Sequence, residues 1–599
     1  MKHTLQISMI MAALLVLLAA CDSPAPAATP TPGSAPVLEA TAVSPTAITE
    51  PTTAPPPASG LPPAVPYNLG DTTILQARFP EDSRFRDMPV RLNGIIAVPD
   101  SGDGPFPVVV VFHGTHPGCP VDEMEVDRWP CAPEDERPNY QGFDYLLSHL
   151  AGQGYVALSI NVNAENTFGF GEPQPGERLI QLVDLHLSAL ATAVSGGQND
   201  FGVALNGRAD LHNLAFVGHS RGGEGIVWLA EGLGMAAPDA FDQFGYGPVK
   251  GLLLLAPAVN FILPAAPSVP LAAILPACDG DVISQEGQLF YEAARMNPEQ
   301  SAWATSIWLE RANHNNFNRT LGPDPMGTFG RTDCDTLLDS AMQQAFLLDY
   351  ATDFLTAVFN GDTAALSRLG LDVQAPAPDS LYGLPARISS LTAVADRQRL
   401  MVPATADELN TNLAGGAITA DGVTTFFCEE GYYTPMMKPG SEPCRRVNLT
   451  IPGNPALAVV AWEQPGAALR FALPEEAGDL SSYTTISLRA ALDPLSPLNA
   501  ADATQAFSVQ LTDSAGATAV VPTRPDEPAL AFPPGDVEED SFFEGGQFTG
   551  RVPMTTIRLS LGDFAGIDLS HIREVALVFD QAESGTLFMS DLEVVRPGE

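Results

Sequence analysis

Positive charge is scarce in this chain. Its 599 residues carry 29 Lys and Arg against 71 Asp and Glu, a formal net charge of −42. Nucleic acid is excluded as a partner on that ground, because neutralising phosphates takes clustered basic side chains. The excess of acid describes a solvated surface that keeps an exported protein soluble. Cys-x-x-Cys spacing is missing too, so neither a zinc-type metal centre nor any other cofactor is expected. Long apolar runs are confined to "ISMIMAALLVLLAA" near the start, which is too short for a comfortable membrane span. Helical periodicity becomes scarce after about residue 370, and no internal repeat is present.

That N-terminal run has a purpose of its own. With Lys2 before it, residues 1–20 read as a secretory signal peptide. Its ending, Leu18-Ala19-Ala20-Cys21, resembles the bacterial lipobox, which implies a lipid-modified Cys21, a membrane anchor and a place in the extracytoplasmic cell envelope. Residues 21–66 are rich in Pro, Ala, Thr and Ser and bury too little apolar surface to offset chain entropy, so they read as an extended tether. Six cysteines remain beyond Cys21, an even number that suggests disulfides in an exported protein. Proximity pairs Cys119 with Cys131 and Cys428 with Cys444, which leaves Cys278 for Cys334.

Residues 67–375 alternate strand-like and helix-like runs. "FPVVVVFHG", "YVALSINV", "LAFVG", "VKGLLLLAP", "PLAAILP" and "ATSIWLERA" are strands, and "VRLNGIIAVP" precedes them. Amphipathic segments such as "GERLIQLVDLHLSALATAV" separate these strands, which predicts a mostly parallel sheet with helices on both faces. Residues 385–599 differ in texture: short alternating runs, "LAVVAWEQ" and "AFSVQLTDSAG" among them, are punctuated by Gly, Pro and Asp and predict an all-β sandwich.

The chemistry centres on "NLAFVGHSRGGEGIVWLAEG". Ser220 falls between a strand and a helix, with Gly218 and Gly222 relieving the crowding of a sharp turn, so it is the candidate nucleophile. A serine hydroxyl needs a base to attack at neutral pH. Of nine histidines only His314 and His571 follow Ser220, and His571 lies in the β region, which leaves His314 in "ERANHNNFNRT". The loop "ILPACDGDVISQEG" supplies the acid, Asp279 in preference to its runner-up Asp281. Backbone N–H groups of Thr115, after "FHG", and of Arg221 would form an oxyanion hole, with His113 structural. Asp568 and Asp591 are weaker candidates for a structural calcium site than for solvated loops.

"PVVVVFHG", "GHSRGG", "CDGDV" and "NHNNF" together resemble the α/β-hydrolase fold, and more narrowly bacterial secreted serine esterases of the dienelactone hydrolase, platelet-activating-factor acetylhydrolase and cutinase-like polyester hydrolase group. That resemblance implies a Ser220–His314–Asp279 triad, in the chain order nucleophile, acid, base, acting on an ester substrate through an acyl-enzyme. Arg221 departs from the usual small or apolar residue after the serine, and Pro276-Ala277-Cys278-Asp279 departs from the common acid-loop form. The C-terminal region resembles galactose-binding-like jelly rolls, which implies a glycan or polymer surface as partner, or a buttressing role. No large lid insertion interrupts the strands, so an open cleft for bulky or polymeric esters is expected. The alternatives are an esterase of acetyl or feruloyl substituents on polysaccharides, or a non-catalytic surface-binding protein.

Overall fold

Valine and leucine runs too short for helices set the strands of the first sheet. The computed structural model describes residues 60–598 apart from 77–78, 84, 122–127, 169–176, 260–267, 326, 328–333, 430–455, 501–502 and 539–546. The expected signal peptide, Cys21, Cys444 and most of the expected tether therefore lie outside the described residues.

Ten strands make the first sheet: β1 (Val65–Leu75), β2 (Asp87–Ala97), β3 (Phe106–Phe112), β4 (Val156–Ile160), β5 (Ala209–His219), β6 (Val249–Leu255), β7 (Leu271–Pro276), β8 (Ala304–Leu309), β9 (Ser380–Leu381) and β10 (Leu384–Leu391). Their spatial order is β1-β2-β4-β3-β5-β6-β7-β8-β10-β9. The helices are α1 (Asp144–Gly152), α2 (Ala164–Phe168), α3 (Glu177–Val194), α4 (Arg221–Gly232), α5 (Ala240–Phe244), α6 (Gln288–Met296), α7 (Ser340–Asn360) and α8 (Thr363–Arg368).

Side-chain alternation along β3 shows why the run is continuous. Val108, Val110 and Phe112 join one core with Leu182, Leu187 and Ile226, whereas Val109 and Val111 join another with Leu146, Leu150 and Phe354. Both faces of the strand are buried, so every position is apolar. Helix α3 buries Leu179, Leu182, Val183, His186, Leu187 and Leu190, the stripe that a 3.6-residue period predicts. Asp339 caps α7 by accepting from the Ala341 N–H at 2.8 Å, and Gly361 ends it with a φ of 63° that favours glycine.

Thirteen further strands follow: β11 (Arg397–Met401), β12 (Ile418–Asp421), β13 (Val423–Cys428), β14 (Leu457–Trp462), β15 (Ala467–Ala472), β16 (Thr485–Leu492), β17 (Ser508–Asp513), β18 (Thr518–Pro522), β19 (Val537–Glu538), β20 (Gln547–Phe548), β21 (Thr555–Ser560), β22 (Ile572–Phe579) and β23 (Gly585–Val595). An antiparallel sheet runs β13-β14-β23-β16-β21, with β11 also on β23, and a second runs β12-β15-β22-β17-β18. Leu488, Ile557, Leu587 and Val594 of the first pack with Leu469, Val509 and Leu577 of the second.

The expected α/β-hydrolase fold with a jelly-roll sandwich behind it is corrected by this arrangement. In the first sheet β3 pairs in parallel with β4 and β5, and β5-β6, β6-β7 and β7-β8 are also parallel. The other four contacts, β1-β2, β2-β4, β8-β10 and β10-β9, are antiparallel. The architecture is a ten-stranded mixed sheet with two antiparallel sheets, 24% helix against 32% strand, and is not a helix-rich α/β hydrolase. Apolar runs carry no record of strand direction, and the mostly exposed β1 carries no such run at all. Among the described residues no helix is long and apolar enough to cross a membrane.

Residues Pro56–Glu599 form one compact unit. Within it a buried ionic cluster ties α6 to the antiparallel sheets. Arg295 Nε lies 2.6 Å from Glu292 and its Nη1 2.9 Å from Asp591, while Arg489 Nη2 lies 2.6 Å from Glu292. Burial pushes the Glu292 carboxyl up, but Arg489 and Arg295 outweigh it and hold the group down at about 2. Glu292 therefore contributes stability above its ordinary 4.5 that is lost as pH falls through about 2. Arg295→Ala takes the guanidinium from buried Asp591 and leaves Glu292 with Arg489 alone, and is expected to lower stability by about 3–5 kcal/mol. Urea unfolding of the full chain followed by tryptophan fluorescence checks this, and a loss below about 1 kcal/mol, the range of an exposed pair, would contradict it.

Candidate active site

Strand β5 ends at His219 and α4 begins at Arg221, which leaves Ser220 alone to turn the chain. Its φ of 56° and ψ of −128° lie where L-residues rarely go, at a cost on the order of 1–3 kcal/mol. Neighbouring backbone holds it there. The Ser220 N–H donates to Leu255 O at 2.9 Å, and Ser220 O accepts from Gly223 N–H at 2.9 Å and Ala258 N–H at 3.3 Å. Two glycines admit the end of β3. A Cβ on Gly222 would lie 2.6 Å from His113 O, and one on Gly114 would lie 2.9 Å from Ser220 Oγ. Thr115 and Arg221, the expected oxyanion donors, thus follow the two segments that meet at Ser220. Arg221 occupies the first position of α4, where a helix has no carbonyl one turn back to accept its N–H.

His113 acts as a clamp. Its Nδ1–H donates to Gly114 O at 2.8 Å, and its Nε2 accepts from the Val162 N–H at 3.0 Å. Those bonds need the neutral ring, and burial depresses its pKa to about 4, against the weaker upward pull of the Gly114 bond.

The structure brings His314 to the same place. It follows β8, and Asp279 follows β7, the neighbouring strand. His314 Nδ1 lies 2.9 Å from Asp279 Oδ2, with both side chains buried. Asp281 sits instead on the far side of the ring, its Oδ2 3.7 Å from Nε2, with a side chain 39% exposed. Burial holds the Asp281 carboxyl above the usual range, against the pull of His314. The two acids therefore address different nitrogens, and Asp279 has the one that leaves Nε2 for the serine. His314 Nε2 has no hydrogen-bond partner among the described residues, Ser220 Oγ included. Such bonds are often unformed before substrate binds.

Burial alone would pull the His314 pKa down. The charge and hydrogen bond of Asp279, with Asp281 and Asp324 behind it, outweigh that and raise it to about 9. The group contributes stability that is fully present below its ordinary 6.5 and lost as pH rises through about 9.

Two residues that sequence reasoning missed hold this geometry. Asp324 accepts from the Gly280 N–H at 2.9 Å and the His314 N–H at 2.9 Å through Oδ2, and from the Asn315 N–H at 2.8 Å through Oδ1. One buried carboxyl group thus joins the loop after β7 to the loop after β8. His219 Nε2–H donates to His314 O at 3.0 Å, which ties His314 to the strand that leads into Ser220. For Asp324 the only sequence signal is a turn-forming "GPDP" ten residues after His314.

The Cys278–Cys334 disulfide, with Cα atoms 5.7 Å apart, anchors the acid loop, and Cys119–Cys131, at 5.8 Å, closes the loop after Thr115. Both bonds fit an oxidising, extracytoplasmic setting. Cys428 is also disulfide-bonded. Asp568 and Asp591 are not brought together as metal ligands: Asp591 pairs with Arg295, and Asp568 pairs at 3.0 Å with the exposed His571. Among the described residues no group of three or more His, Cys, Asp or Glu could hold a metal ion.

No protein-family model matches the chain, and no curated protein matches its sequence. Asp279→Asn is expected to move the His314 titration from about 9 down toward or below 6.5, read by NMR of labelled histidine, and an unchanged titration would contradict the pairing.

Proposed function

We propose that the protein is an extracytoplasmic serine hydrolase of carboxylic esters. The observation that carries this reading is His314, held by Asp279 at Nδ1 with Nε2 free of any hydrogen bond among the described residues, packed by a backbone bond onto the strand that leads into the strained Ser220. Ser220 Oγ attacks the ester carbonyl carbon while His314 Nε2 takes its proton. Charge on the carbonyl oxygen meets the Thr115 and Arg221 N–H groups. Collapse of that intermediate breaks the ester C–O bond, and the departing alkoxide leaves with the proton from His314. Water then attacks the acyl-serine, giving a proton to His314, and the carboxylic acid departs as Ser220 recovers its hydrogen.

In this reading Cys21 carries a lipid and the Pro-rich segment tethers the enzyme to a bacterial membrane. The resemblance to cutinase-like esterases supports bulky or polymeric esters as substrates. A second reading, removal of acetyl or feruloyl groups from polysaccharide, is favoured by a hollow of about 540 Å³ whose lining includes Asp421, Thr424, Glu463 and Gln464, side chains suited to sugar hydroxyls. Release of acid from an aliphatic polyester film compared with acetylated xylan separates the two.

Ser220→Ala is expected to abolish turnover of short p-nitrophenyl esters, and retained activity would end this mechanism. The base must be neutral to accept a proton, and His314 holds its own up to about 9. Hydrolysis is therefore expected to rise about tenfold per pH unit at neutral pH and to level off beyond about 9. A profile that has levelled off by about pH 7.5, as an unshifted histidine would give, would contradict the raised base.

A further inference from the structure

Asp281 stands beside the nitrogen that carries the proton in the proposed reaction, yet the loop it belongs to is held by other groups. The Asp281 and Val282 N–H groups donate to Asp279 Oδ1 at 2.9 and 2.6 Å, the Gly280 N–H donates to Asp324 Oδ2 at 2.9 Å, and Gln285 Nε2 donates to Pro276 O at 2.7 Å. The Asp281 side chain, 39% exposed, meets His314 instead, its Oδ2 3.7 Å from Nε2.

That position is costly for a base. Asp279 at Nδ1 already fixes the ring. A second carboxyl at Nε2 adds to the charges that keep His314 protonated at neutral pH, where it cannot take a proton from Ser220. An apolar or amide side chain in the same turn would leave the loop's hydrogen bonds intact and the base freer. Neither the fold nor the base gains from the carboxyl, which leaves the substrate as its partner.

Distances around Nε2 say which part of a substrate that is. The leaving oxygen of the ester takes its proton from Nε2 and so comes within a hydrogen-bond length of it, about 2.9 Å. Asp281 Oδ2 is 3.7 Å from the same nitrogen, too far to bond it and near enough to be bridged by a group close to the leaving oxygen. In a staggered 1,2-diol the two oxygens lie about one hydrogen-bond length apart. Nε2, the leaving oxygen, the neighbouring hydroxyl and Oδ2 then close a quadrilateral, with the 3.7 Å separation as its long side. An ionised carboxylate only accepts, so the group it meets must be a donor.

We propose that Asp281 makes the enzyme selective for monoesters of 1,2-diols, in which a free hydroxyl stands on the carbon next to the one that carries the ester. The inference rests on the ester-hydrolase reading and deepens it by naming the alcohol. As the ester C–O bond breaks, the leaving oxygen receives the proton of His314 Nε2. The neighbouring hydroxyl keeps its own hydrogen, hydrogen-bonded to Asp281 Oδ2, and no proton passes to Asp281. Acyl groups on sugar rings are esters of this kind wherever the adjacent ring carbon bears a free hydroxyl. A charged acceptor strengthens the bond, and the partial exposure of Asp281 tempers it.

Hydrolysis of 2-hydroxyethyl acetate and 2-methoxyethyl acetate by the full chain, followed by release of acid at constant pH, tests this. Both alcohols carry the same electron-withdrawing oxygen, and only the first is a donor. Removing Asp281 also changes the charge that His314 feels, which affects both esters alike. The readout is therefore the ratio of the two kcat/KM values within each enzyme. The parent is expected to favour the hydroxyethyl ester about tenfold. In Asp281→Leu the ratio is expected to fall to within about twofold of unity, whereas a preference that came from size would persist. Asp281→Asn, nearly isosteric and with a neutral acceptor, is expected to lower the ratio about threefold, and it carries the test should the leucine variant fail to fold. A ratio near unity in the parent, or one that these substitutions leave unchanged, would overturn the proposal. Turnover that survives Ser220→Ala would remove the reaction itself. Turnover that needs Ser220 but draws no distinction between the two esters would remove this inference alone.

Discussion

Ser220 holds a backbone conformation that L-residues avoid, and the surrounding structure over-determines it. Strand β6 supplies the carbonyl that fixes its N–H, Ala258 and α4 fix its carbonyl, and β3 closes on it across two glycines. Each contact depends on the parallel alignment of β3, β5 and β6, so the doubly buried apolar runs of those strands set where a single hydroxyl can sit. Strain of this kind persists only where packing outweighs it.

The second requirement is electrostatic. Carboxylates and histidines are costly to bury, and here each of the main ones is compensated in its own way. Asp279 meets an imidazole, Asp324 collects three backbone N–H groups, and His113 and His219 stay neutral and donate to carbonyls. Away from the site, Glu292 and Asp591 meet Arg295 and Arg489 where α6 packs on β16 and β23. The segment that leads into β21 also reaches the loop after β7 directly, since Arg551 Nη2 donates to Ile283 O at 2.9 Å. That contact buttresses the region that holds Asp279.

The candidate site was legible in the sequence where local pattern and chemistry coincide. Ser220 stands at a strand–helix junction marked by glycines, and His314 was isolated because so few histidines follow it. Two cysteines left over after the near neighbours were paired found each other across 56 residues. Asp324 was illegible because its partners are backbone N–H groups, which every residue has, so no spacing announces them. The choice between Asp279 and Asp281 was equally hidden: two residues apart in one loop, they reach opposite nitrogens of one ring. The sheet's mixed character escaped for a related reason. Nothing in the composition of Leu384–Leu391 says that it will run antiparallel beside β8. Hydrophobic period reports burial, and direction is decided by connections that the period does not encode.

The proposed chemistry depends on Ser220 Oγ being a nucleophile activated by His314. Treating the full chain with a fluorophosphonate and mapping the adduct by peptide mass spectrometry tests this most directly. One phosphonyl group per chain is expected, on Ser220, with labelling abolished in His314→Ala. An unlabelled chain, a label elsewhere, or equal labelling of the histidine variant would contradict it.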